Sequence, residues 1–512
     1  MNAMKPVFDS DFEIGVIGAG LMGRGIAQVA AQAGIRVRLY DAKPGAAVEA
    51  CGQIKHAWDA LVDKGRLNPQ DAARSCNRLA PAMQIEEVAS CSVVIEAIIE
   101  SLPAKQELLR RLESIVGEHC VLATNTSSLL VTEVAAGCAH PERVAGLHFF
   151  SPVPRMKIAE VIDGVRTAPW VCDRLVDLVR RIGHEPVRAK DSPGFIANHA
   201  GRGYGPEALR IASEGVADFA VIDEILRDAC EFRMGPFELF DLTGLDVSHV
   251  AGESIYRQFY EEPRFQPSLI TRQRLAGGLL GRKTRRGFYE YDESGRRNPG
   301  ASASAPALRD IPVWVEAGDT SGHDAIRALV RASNVHLEAG EKPSAGALAI
   351  LLPIGEDATA ACVRQQTDPR HTVAVDPLFL DRRRTVMLTP VTDALFRDQA
   401  KALLATDGIP VSVINDSPGF VAQRICASIV NVACNMAQQR IASPSDIDNT
   451  VKLALAYPQG PFALGDSLGA KGVLRILEAL HERYREPRYR PSPWLSRRAA
   501  LGVPLATPEA ST

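Results

Sequence analysis

Residues 13–41 read EIGVIGAGLMGRGIAQVAAQAGIRVRLYD. We predict a buried strand over residues 13–17, a helix over residues 24–33 and a second strand over residues 37–40. Strand-like and helix-like segments then alternate as far as residue 190. This βαβ rhythm predicts a parallel sheet covered by helices.

The turn after the first strand has the glycine spacing GxGxxG. Its first glycine allows a tight turn, its second lets a pyrophosphate approach the backbone, and its third lets helix and strand pack closely. The free amides at the start of the helix favour an anion there. The pattern predicts a dinucleotide site, although glycine triplets also occur in ordinary turns. The residues concerned are Gly18, Gly20, Leu21, Met22 and Gly23.

Asp41 ends the second strand, 23 residues after Gly18. A carboxylate at this place accepts hydrogen bonds from both ribose hydroxyls and repels a 2′-phosphate. We therefore expect the cofactor to be NAD. Arg24, Arg38 and Lys43 lie near enough in sequence to leave NADP as an alternative.

The chain repeats itself in its second half. DSPGF occurs at residues 191–195 and 416–420, and GPF at residues 235–237 and 460–462, so both pairs are 225 residues apart. One register held over this length predicts a duplicated helical domain, with an α/β segment before each copy. A polar stretch rich in Gly, Ala, Ser and Pro, residues 292–310, indicates an exposed linker.

We therefore predict an α/β Rossmann-type parallel-sheet domain plus an all-α domain, followed by a degenerate α/β segment and a second copy of the all-α domain. The predicted segments are 1–190 (NAD-binding), 191–291 (helical, for substrate and dimerisation), 292–310 (linker), 311–415 (degenerate α/β) and 416–512 (second helical). No GxGxxG precedes the second helical copy, so we expect one NAD per chain.

Composition argues against several classes of protein. The 512 residues carry 58 Lys and Arg against 61 Asp and Glu, and this net charge of −3 argues against a nucleic-acid or membrane-surface binder. No run of about 18 apolar residues exists, and the first residues lack the apolar stretch of a signal peptide. Ten cysteines without CxxC spacing indicate reduced thiols in a cytoplasmic protein and no metal site.

His148 and Glu160 lie six residues before and six residues after Pro154. Residues 144–150 and 158–162 are strand-like, so an antiparallel return would put the two side chains opposite each other. A carboxylate there holds the tautomer of the imidazole and raises its basicity. The alternative is a hydrogen-bonded core histidine beside an unrelated glutamate.

The tetrad NTSS, residues 125–128, follows a predicted strand over residues 120–124. Ligands of open α/β sheets bind at the carboxyl ends of strands, which favours a site here. The alternative is that these hydroxyls only cap the next helix. Asn198, just after the first DSPGF, would by itself be an ordinary polar helix residue.

Six segments together resemble the 3-hydroxyacyl-CoA dehydrogenase family. They cover most of residues 11–292 in family order, and longer relatives with a second helical copy match residues 312–502 as well. The resemblance implies NAD-dependent oxidation of L-3-hydroxyacyl-CoA, with 3-hydroxybutyryl-CoA and 3-hydroxyadipyl-CoA among the candidate substrates, in bacterial β-oxidation or aromatic-acid degradation. The segments are GAGLMGRGIAQVAAQAG (18–34), IEAIIESLPAKQELL (95–109), TNTSS (124–128), GLHFFSPVPRMKIAEVI (146–162), KDSPGFIAN (190–198) and GPFELFDLTGLD (235–246).

The resemblance also implies a role for each matched residue. His148 is the catalytic acid/base and Glu160 orients it. Ser127 and Asn198 contact the substrate oxygen. The residues expected to touch NAD, besides the glycine turn, are Asp41, Glu100, Lys105 and Asn125.

Other enzymes and a non-enzyme stay open as alternatives. A sugar-acid (gulonate-type) dehydrogenase of the crystallin branch would use the same serine, histidine and asparagine on a free carboxylate. A non-catalytic NAD-binding structural protein is a second alternative, against which the complete set of catalytic residues argues. A hydroxyisobutyrate-type dehydrogenase shares the glycine turn but resembles the other motifs less.

Cations that would bind the substrate fall into two groups. Lys55, Lys64 and Arg66 are candidates for the CoA phosphates, or else belong to a solvated face. An acyl group that ends in a carboxylate would need a cation, for which Arg155 and Arg202 are candidates.

One departure from the family pattern follows Asn198. The family usually has Arg next, where this chain has His199, and residues 201–206 (GRGYGP) are rich in glycine. Because glycine disfavours helix, the run predicts an irregular helix here.

The second half should have no active site. At the spacing of 225, the counterparts of the histidine, the glutamate and Asn198 are Val373, Thr385 and Gln423, which cannot do acid/base chemistry. We expect the two helical copies to pack on each other as an intrachain pseudo-dimer, with a further homo-oligomer left open. The apolar residues expected in the shared surface are Leu242, Leu245, Val247, Leu464, Leu468 and Val473.

Overall fold

The structure is a computed structural model that describes residues 12–297, 306–318 and 320–510. The described residues form two compact units, of which unit 1 comprises residues 12–199 and 439–455, and unit 2 comprises those within 200–438 and 456–510. These units cut across the five segments expected from the sequence. Among the described residues, no helix combines the length and apolar character that crossing a bilayer requires.

Two sequence-based expectations fall partly outside the described residues. The N-terminal stretch, where we expect no signal peptide, is described only from residue 12. Of the expected linker, residues 292–297 form a turn that an antiparallel bridge between Tyr291 and Arg297 closes, and residues 298–305 lie outside the described part.

Unit 1 is built on an eight-stranded sheet of order β3-β2-β1-β4-β5-β6-β7-β8. The strands are β1 (Glu13–Ile17), β2 (Arg36–Tyr40), β3 (Leu79–Pro81), β4 (Val93–Glu96), β5 (Val121–Thr124), β6 (Val144–Phe149), β7 (Ile158–Asp163) and β8 (Glu185–Lys190). Neighbours are parallel except β6 and β7, which are antiparallel. The predicted parallel sheet is therefore confirmed.

Helices cover this sheet, because its central strands are apolar on both faces and must be buried on both. The helices are α1 (Leu21–Gln32), α2 (Ala46–Asp63), α3 (Pro69–Cys76), α4 (Leu102–Ile115), α5 (Val131–Ala135), α6 (Pro169–Arg181) and α7 (Ala197–Ala200). Strands β1, β4 and β5 are buried along their whole length. The sheet is thus buried, and the loops after β1, β4, β5 and β6 lie together at its carboxyl edge.

Unit 2 contains one group of helices, a smaller sheet and most of a second group of helices. The first group is α8 (Gly205–Ser213), α9 (Phe219–Asp228), α10 (Pro236–Thr243), α11 (Leu245–Gln258) and α12 (Leu269–Ala276). The sheet has the order β13-β12-β11-β10-β9. Its elements are β9 (Val313–Val315), α13 (Ser321–Ala332), β10 (Leu348–Leu351), α14 (Ala358–Gln365), β11 (Thr372–Val375), β12 (Arg384–Leu388), α15 (Ala394–Leu404) and β13 (Val411–Ile414).

The second group of helices follows this smaller sheet. Its members are α16 (Val421–Gln438), α17 (Pro444–Ala454), α18 (Pro461–Ser467), α19 (Ala470–Tyr484) and α20 (Pro493–Leu501). Of these, α17 belongs to unit 1.

The smaller sheet corresponds to strands β4 to β8 of the larger one. Both end in one antiparallel pair followed by a parallel strand, and β7–β8 and β12–β13 pair residues that are 27 apart. Asp191 accepts hydrogen bonds from the first amides of α5, and Asp416 does the same for α14. No described strand of the smaller sheet corresponds to β1, β2 and β3.

This correspondence corrects one counterpart expected from the constant spacing. The amide of Asp376 donates to the carbonyl of Thr385 at 3.1 Å, so Asp376, and not Val373, lies opposite Thr385. The connection between the antiparallel strands is three residues shorter here than between His148 and Glu160, which shifts the register. The second half thus has a carboxylic acid where the first half has its histidine.

The predicted irregular helix is confirmed. The segment that contains α7, a 3₁₀ turn over Gly201–Gly203 and α8 is interrupted, whereas α16, its counterpart at a spacing of 225, runs unbroken for 18 residues. A Cβ atom added to Gly203 would lie 2.7 Å from the Cα atom of Ile429. Glycine at this position therefore lets two backbones of unit 2 approach closely.

Of the apolar residues expected in a shared surface, some are buried and others are exposed. Leu245, Leu464 and Val473 are buried, but Leu242 and Val247 are 47% and 58% exposed. The expectation is wrong for Leu242 and Val247. An apolar residue near the GPF motif does not by itself tell which face of its helix is covered.

Candidate active site

The glycine turn after β1 has the predicted geometry. Gly18 has a φ of 105°, and a Cβ atom on it would lie 2.5 Å from the carbonyl oxygen of Ala97. A Cβ atom on Gly23 would overlap the carbonyl oxygen of Gly18, whereas a Cβ atom on Gly20 would meet nothing within 4 Å. The first and third glycines are thus needed for packing, and the second leaves the backbone open to a ligand.

A cleft of about 800 Å³ lies at this turn. Its lining includes Gly18, Gly20, Leu21, Met22, Asp41 and Ile98. Oδ2 of Asp41 accepts a hydrogen bond from the amide of Ala19 at 2.7 Å, and Oδ1 accepts one from the amide of Lys43 at 2.8 Å. Each carboxylate oxygen keeps a further lone pair, so the side chain still fits a ribose diol. Size, open backbone and carboxylate suit a dinucleotide.

Behind the cleft, two carboxylates share one buried lysine. Nζ of Lys105 lies 2.6 Å from Oε1 of Glu96 and 3.3 Å from Oε2 of Glu100, and its side chain is 1% exposed. Glu96 is fully buried and also accepts a hydrogen bond from the hydroxyl of Thr124. Lys105 therefore anchors Glu100 to the sheet, and its neighbours Ala104 and Leu108 line the cleft.

Glu100 in turn holds the loop after β5. Its Oε1 atom accepts hydrogen bonds from the Thr126 hydroxyl at 2.6 Å, the Ser127 amide at 2.9 Å and the Ser128 amide at 3.0 Å. Burial opposes ionisation of Glu100, but the hydrogen bond from Thr126 and the charge of Lys105 outweigh it and lower its pKa. An anionic Glu100 fixes the backbone of Ser127.

The hydroxyls of this loop cap no helix directly. Leu129, whose amide donates to the hydroxyl of Thr126, precedes α5, and α5 begins at Val131. Asp191 accepts the amides of Val131 and Thr132 at 2.9 and 2.7 Å. Since Asp191 takes the capping role, the exposed Ser127 side chain is not needed for it.

The strands β6 and β7 pair His148 with Glu160, as predicted. Nδ1 of His148 lies 2.6 Å from Oε2 of Glu160. Glu160 is fully buried and His148 is 6% exposed. Phe150 and Phe195 pack beside the imidazole, with ring centroids 4.6 and 5.9 Å away.

Glu160 has a second function that the sequence did not reveal. Its Oε1 atom accepts hydrogen bonds from the amides of Ile196 and Ala197 at 3.1 and 2.8 Å. One carboxylate therefore holds the imidazole with one oxygen and the start of α7, which carries Asn198, with the other. This pairing joins residues 36 and 37 apart, so no local pattern could have predicted it.

Two asparagines complete the group. Nδ2 of Asn198 lies 3.5 Å from the carbonyl oxygen of Ser127. Oδ1 of Asn125 accepts the amide of Phe149 at 2.9 Å and so ties the end of β5 to β6 beside His148. Hydrogen bonds thus connect the four candidate catalytic residues at one edge of the sheet. Glu160 links His148 to the helix that carries Asn198, Asn198 reaches the Ser127 carbonyl, and Asn125 links the loop of Ser127 to β6.

The cations predicted for CoA lie elsewhere in unit 1. Lys55 is exposed on α2, and Lys64 and Arg66 are exposed at and after its end. Their role remains a prediction. Arg155, on the turn between β6 and β7, is also exposed.

The smaller sheet offers a different set at the corresponding edge. Oδ1 of Asp376 accepts a hydrogen bond from Nε2 of Gln423 at 2.9 Å, and Oε1 of Gln423 accepts the amide of Gly355. Burial raises the pKa of Asp376 to about 6. An acid, a threonine and a glutamine, all buried, replace the histidine, glutamate and asparagine.

Comparison with known proteins follows the same division of the chain. The sequence model of the family's NAD binding domain (3-hydroxyacyl-CoA dehydrogenase, NAD binding domain) matches residues 13–192. The sequence model of the family's C-terminal domain matches residues 194–291 and 419–506. A 3-hydroxyadipyl-CoA dehydrogenase of Escherichia coli K12 is 36% identical over 492 residues, which is 95% of this chain and 97% of that protein.

A shorter relative and a solved structure agree with this. A probable 3-hydroxybutyryl-CoA dehydrogenase of Bacillus subtilis is 38% identical over 281 residues, 55% of this chain and 98% of its own. The crystal structure of a 3-hydroxybutyryl-CoA dehydrogenase from E. coli K12 has a TM-score of 0.83 at 36% identity and covers 96% of this chain and 98% of its own. The chain belongs to the 3-hydroxyacyl-CoA dehydrogenase family.

Proposed function

We propose that this enzyme oxidises the 3-hydroxyl group of L-3-hydroxyacyl-CoA esters, with His148 as acid/base. The observation that carries the proposal is the buried pair of His148 and Glu160, joined to Ser127 and Asn198 at the carboxyl edge of the nucleotide-binding sheet. Bound NAD supplies the acceptor for the hydride that leaves C3, at C4 of its nicotinamide ring.

The protein side of the reaction follows from the hydrogen bonds of Glu160. An anionic carboxylate accepts from Nδ1–H of His148, which leaves the Nε2 lone pair free to take the proton of the C3 hydroxyl. The imidazolium that results stays paired with Glu160. The Ser127 hydroxyl and the Asn198 amide are the donors proposed to stabilise charge on the C3 oxygen.

The cofactor side depends on Asp41 and the anchored loop. Asp41 would accept the ribose hydroxyls and disfavour a 2′-phosphate, so NAD is preferred over NADP. Glu100 and Lys105 would act on NAD chiefly by holding the Ser127 loop, because their charges are already paired. Asn125, hydrogen-bonded to β6, would border the nicotinamide end.

We also propose which acyl groups the enzyme accepts and which residues contact CoA. The relatives above are named for acyl-CoA substrates, which supports an acyl-CoA over a sugar acid. Their names differ between a four-carbon and a dicarboxylic acyl group, and we propose that Arg155 and Arg202 are the cations to test for the latter. Lys55, Lys64 and Arg66 remain the proposed contacts of the CoA phosphates.

We also propose that residues 191–291 and 416–512 are two copies of one helical domain, paired within the chain. The match of one domain model to both segments supports duplication, and the contact of Gly203 with Ile429 supports pairing. The ten cysteines are all free thiols, which supports a reducing compartment such as the cytoplasm.

The proposed reaction is tested by measuring kcat/KM for NADH with 3-ketoacyl-CoA substrates of increasing length, including a dicarboxylic one. A panel of sugar acids with NAD serves as the contrast. Turnover of CoA esters far above that of sugar acids is expected. Preference for a sugar acid would refute the substrate class, and no turnover with either would refute the enzymatic role.

A further inference from the structure

A buried arginine joins the two groups of helices in unit 2. The Arg424 side chain, on α16, is 0% exposed. Its Nε atom donates to Oε1 of Glu207 at 2.9 Å, and its Nη1 atom donates to Oε2 of Glu214 at 2.7 Å. Glu207 lies on α8 and Glu214 caps its end. The guanidinium therefore bridges the second helical segment to the first.

Two tyrosines complete the hydrogen bonds of this cluster. The hydroxyl of Tyr489 accepts a hydrogen bond from Nη2 of Arg424 at 3.0 Å and donates one to Oε1 of Glu207 at 3.0 Å. Tyr484 donates to Oε2 of Glu214 at 2.8 Å. Burial opposes ionisation of Glu214, but the charge of Arg424 and the hydrogen bonds from Arg424, Arg210 and Tyr484 together outweigh it and lower the pKa of Glu214. The cluster is thus an ion network whose charges depend on one another.

The corresponding positions in the other copy carry different groups. At the spacing of 225, Arg424 corresponds to His199 and Glu207 corresponds to Val432. The motifs EPRF (262–265) and EPRY (486–489) make Phe265 the counterpart of Tyr489. The network therefore forms at only one of the two equivalent places that the repeat creates.

We propose that Arg424 specifies which helical segment pairs with which, so that the surface around Glu207 fits the second segment of this chain and not a copy of the first. Two first segments would place His199 opposite Glu207 in place of Arg424, with Arg264 in the place of the more distant Arg488, so the close guanidinium hydrogen bond to Glu207 would be lost. Two second segments would bury Arg424 against Val432. Each like pairing therefore loses the hydrogen-bonded buried ion pair of Arg424 and Glu207, which is unfavourable. The inference rests on the proposed pairing of the helical copies, not on the catalytic assignment.

The test compares three variants of the full-length chain, Arg424→Met, Glu207→Met and the double variant, by melting temperature and by mass in solution. Each single variant should melt several degrees lower and gain mass, because one face becomes apolar and can pair with the same face of another chain. The double variant should regain most of the melting temperature, because no charge is then buried alone, but it should keep the added mass, because both faces are apolar and like faces can still pair. Single variants with unchanged mass, or a double variant that loses the sum of both, would overturn the inference.

Arg210→Met is the matched control. This arginine also crosses from the first segment to the second, at 2.5 Å from Glu486, but both side chains are about a third exposed. Arg210 also pairs with Glu214 at 2.6 Å, but both of its ion pairs are partly exposed to solvent, so the control should keep the wild-type mass and lose much less melting temperature than Arg424→Met. Equal losses in Arg210→Met and Arg424→Met would also overturn the inference.

A histidine at position 424 separates charge from packing. Near pH 6 an imidazolium can pair with the two glutamates, and near pH 8 it is neutral. Arg424→His should therefore fall further below the wild-type melting temperature at the higher pH, whereas Arg424→Lys should not. The charged or titratable groups that face this position are Glu207, Arg210, Glu214, Tyr484, Glu486, Arg488 and Tyr489. An equal deficit at both pH values would refute a requirement for charge.

Turnover of the same variants keeps the two proposals apart. The glycine turn, His148 and Glu160 belong to unit 1. If the reaction assigned above proves wrong while mass and melting temperature change as expected, only the catalytic proposal fails. If turnover is as proposed and the masses do not change, only the pairing inference fails.

Discussion

Replacing Glu160 by Gln changes one atom, and the structure predicts a large loss of turnover. Glu160 accepts three hydrogen bonds, one from His148 and two from the amides of Ile196 and Ala197. A glutamine has one acceptor oxygen and one NH₂ group. It cannot satisfy both sides, so one side must change.

The backbone amides should win this competition. If the glutamine oxygen faces Ile196 and Ala197, its NH₂ group faces Nδ1 of His148, and the imidazole proton must move to Nε2. That tautomer cannot accept the proton of the substrate. The opposite orientation leaves two buried amides unpaired, at about 1–3 kcal/mol each. A bias on the order of 4 kcal/mol toward the inactive tautomer corresponds to about 10³-fold lower kcat.

The assay is steady-state oxidation of an L-3-hydroxyacyl-CoA by NAD, beside NADH affinity measured by fluorescence titration. Glu142→Gln is the matched control, because Glu142 also lies beside a histidine, at 3.1 Å from His140, but on the surface. It should keep wild-type turnover. If Glu160→Gln retains more than about a tenth of kcat, the tautomer argument is wrong. If NADH affinity falls as much as kcat, the effect is structural and not catalytic.

His148→Gln should lower kcat by about 10²–10⁴-fold with NADH affinity retained, measured by the same two assays; unchanged turnover would refute the acid/base role. NADH should give a much higher kcat/KM than NADPH because of Asp41, and equal values would contradict that reading. Titration with NADH should saturate at one site per chain, and two tight sites would contradict the inactive second half. Asp376→Asn should raise the melting temperature more near pH 8 than near pH 5. The wild type loses stability, on the order of 3 kcal/mol at most, as pH rises from the ordinary value of 3.8 to about 6, since burial raises this pKa. Equal shifts at both pH values would contradict the buried charge.

The site was predictable where its chemistry is local in sequence. The glycine turn needs only a strand, three glycines and a helix within a short stretch. The pairing of His148 with Glu160 needed only two strands around a proline-rich turn, because the side-chain period of a strand is fixed. In both cases the backbone geometry follows from residues that are neighbours in the chain.

The rest depended on contacts between distant segments. Glu160 reaches the amide of Ala197 across 37 residues, and Glu100 reaches Ser127 across 27. A constant spacing predicts Val373 as the counterpart of His148, because it ignores a shorter turn. The apolar character of Leu242 favours a place in a shared surface, but apolar residues also occur on exposed faces. Sequence patterns fix periods and turns, but they do not fix which surfaces meet.

The smaller sheet has consequences for engineering. Its described strands correspond to β4 through β8, so it lacks the strands that would carry a glycine turn and an acid for ribose. A histidine introduced at position 376 and a glutamate at position 385 would therefore form an acid/base pair, but no nucleotide-binding turn would lie beside it. A second catalytic centre in this chain would require inserting a whole βαβ unit before β9, and point mutations alone would not create it.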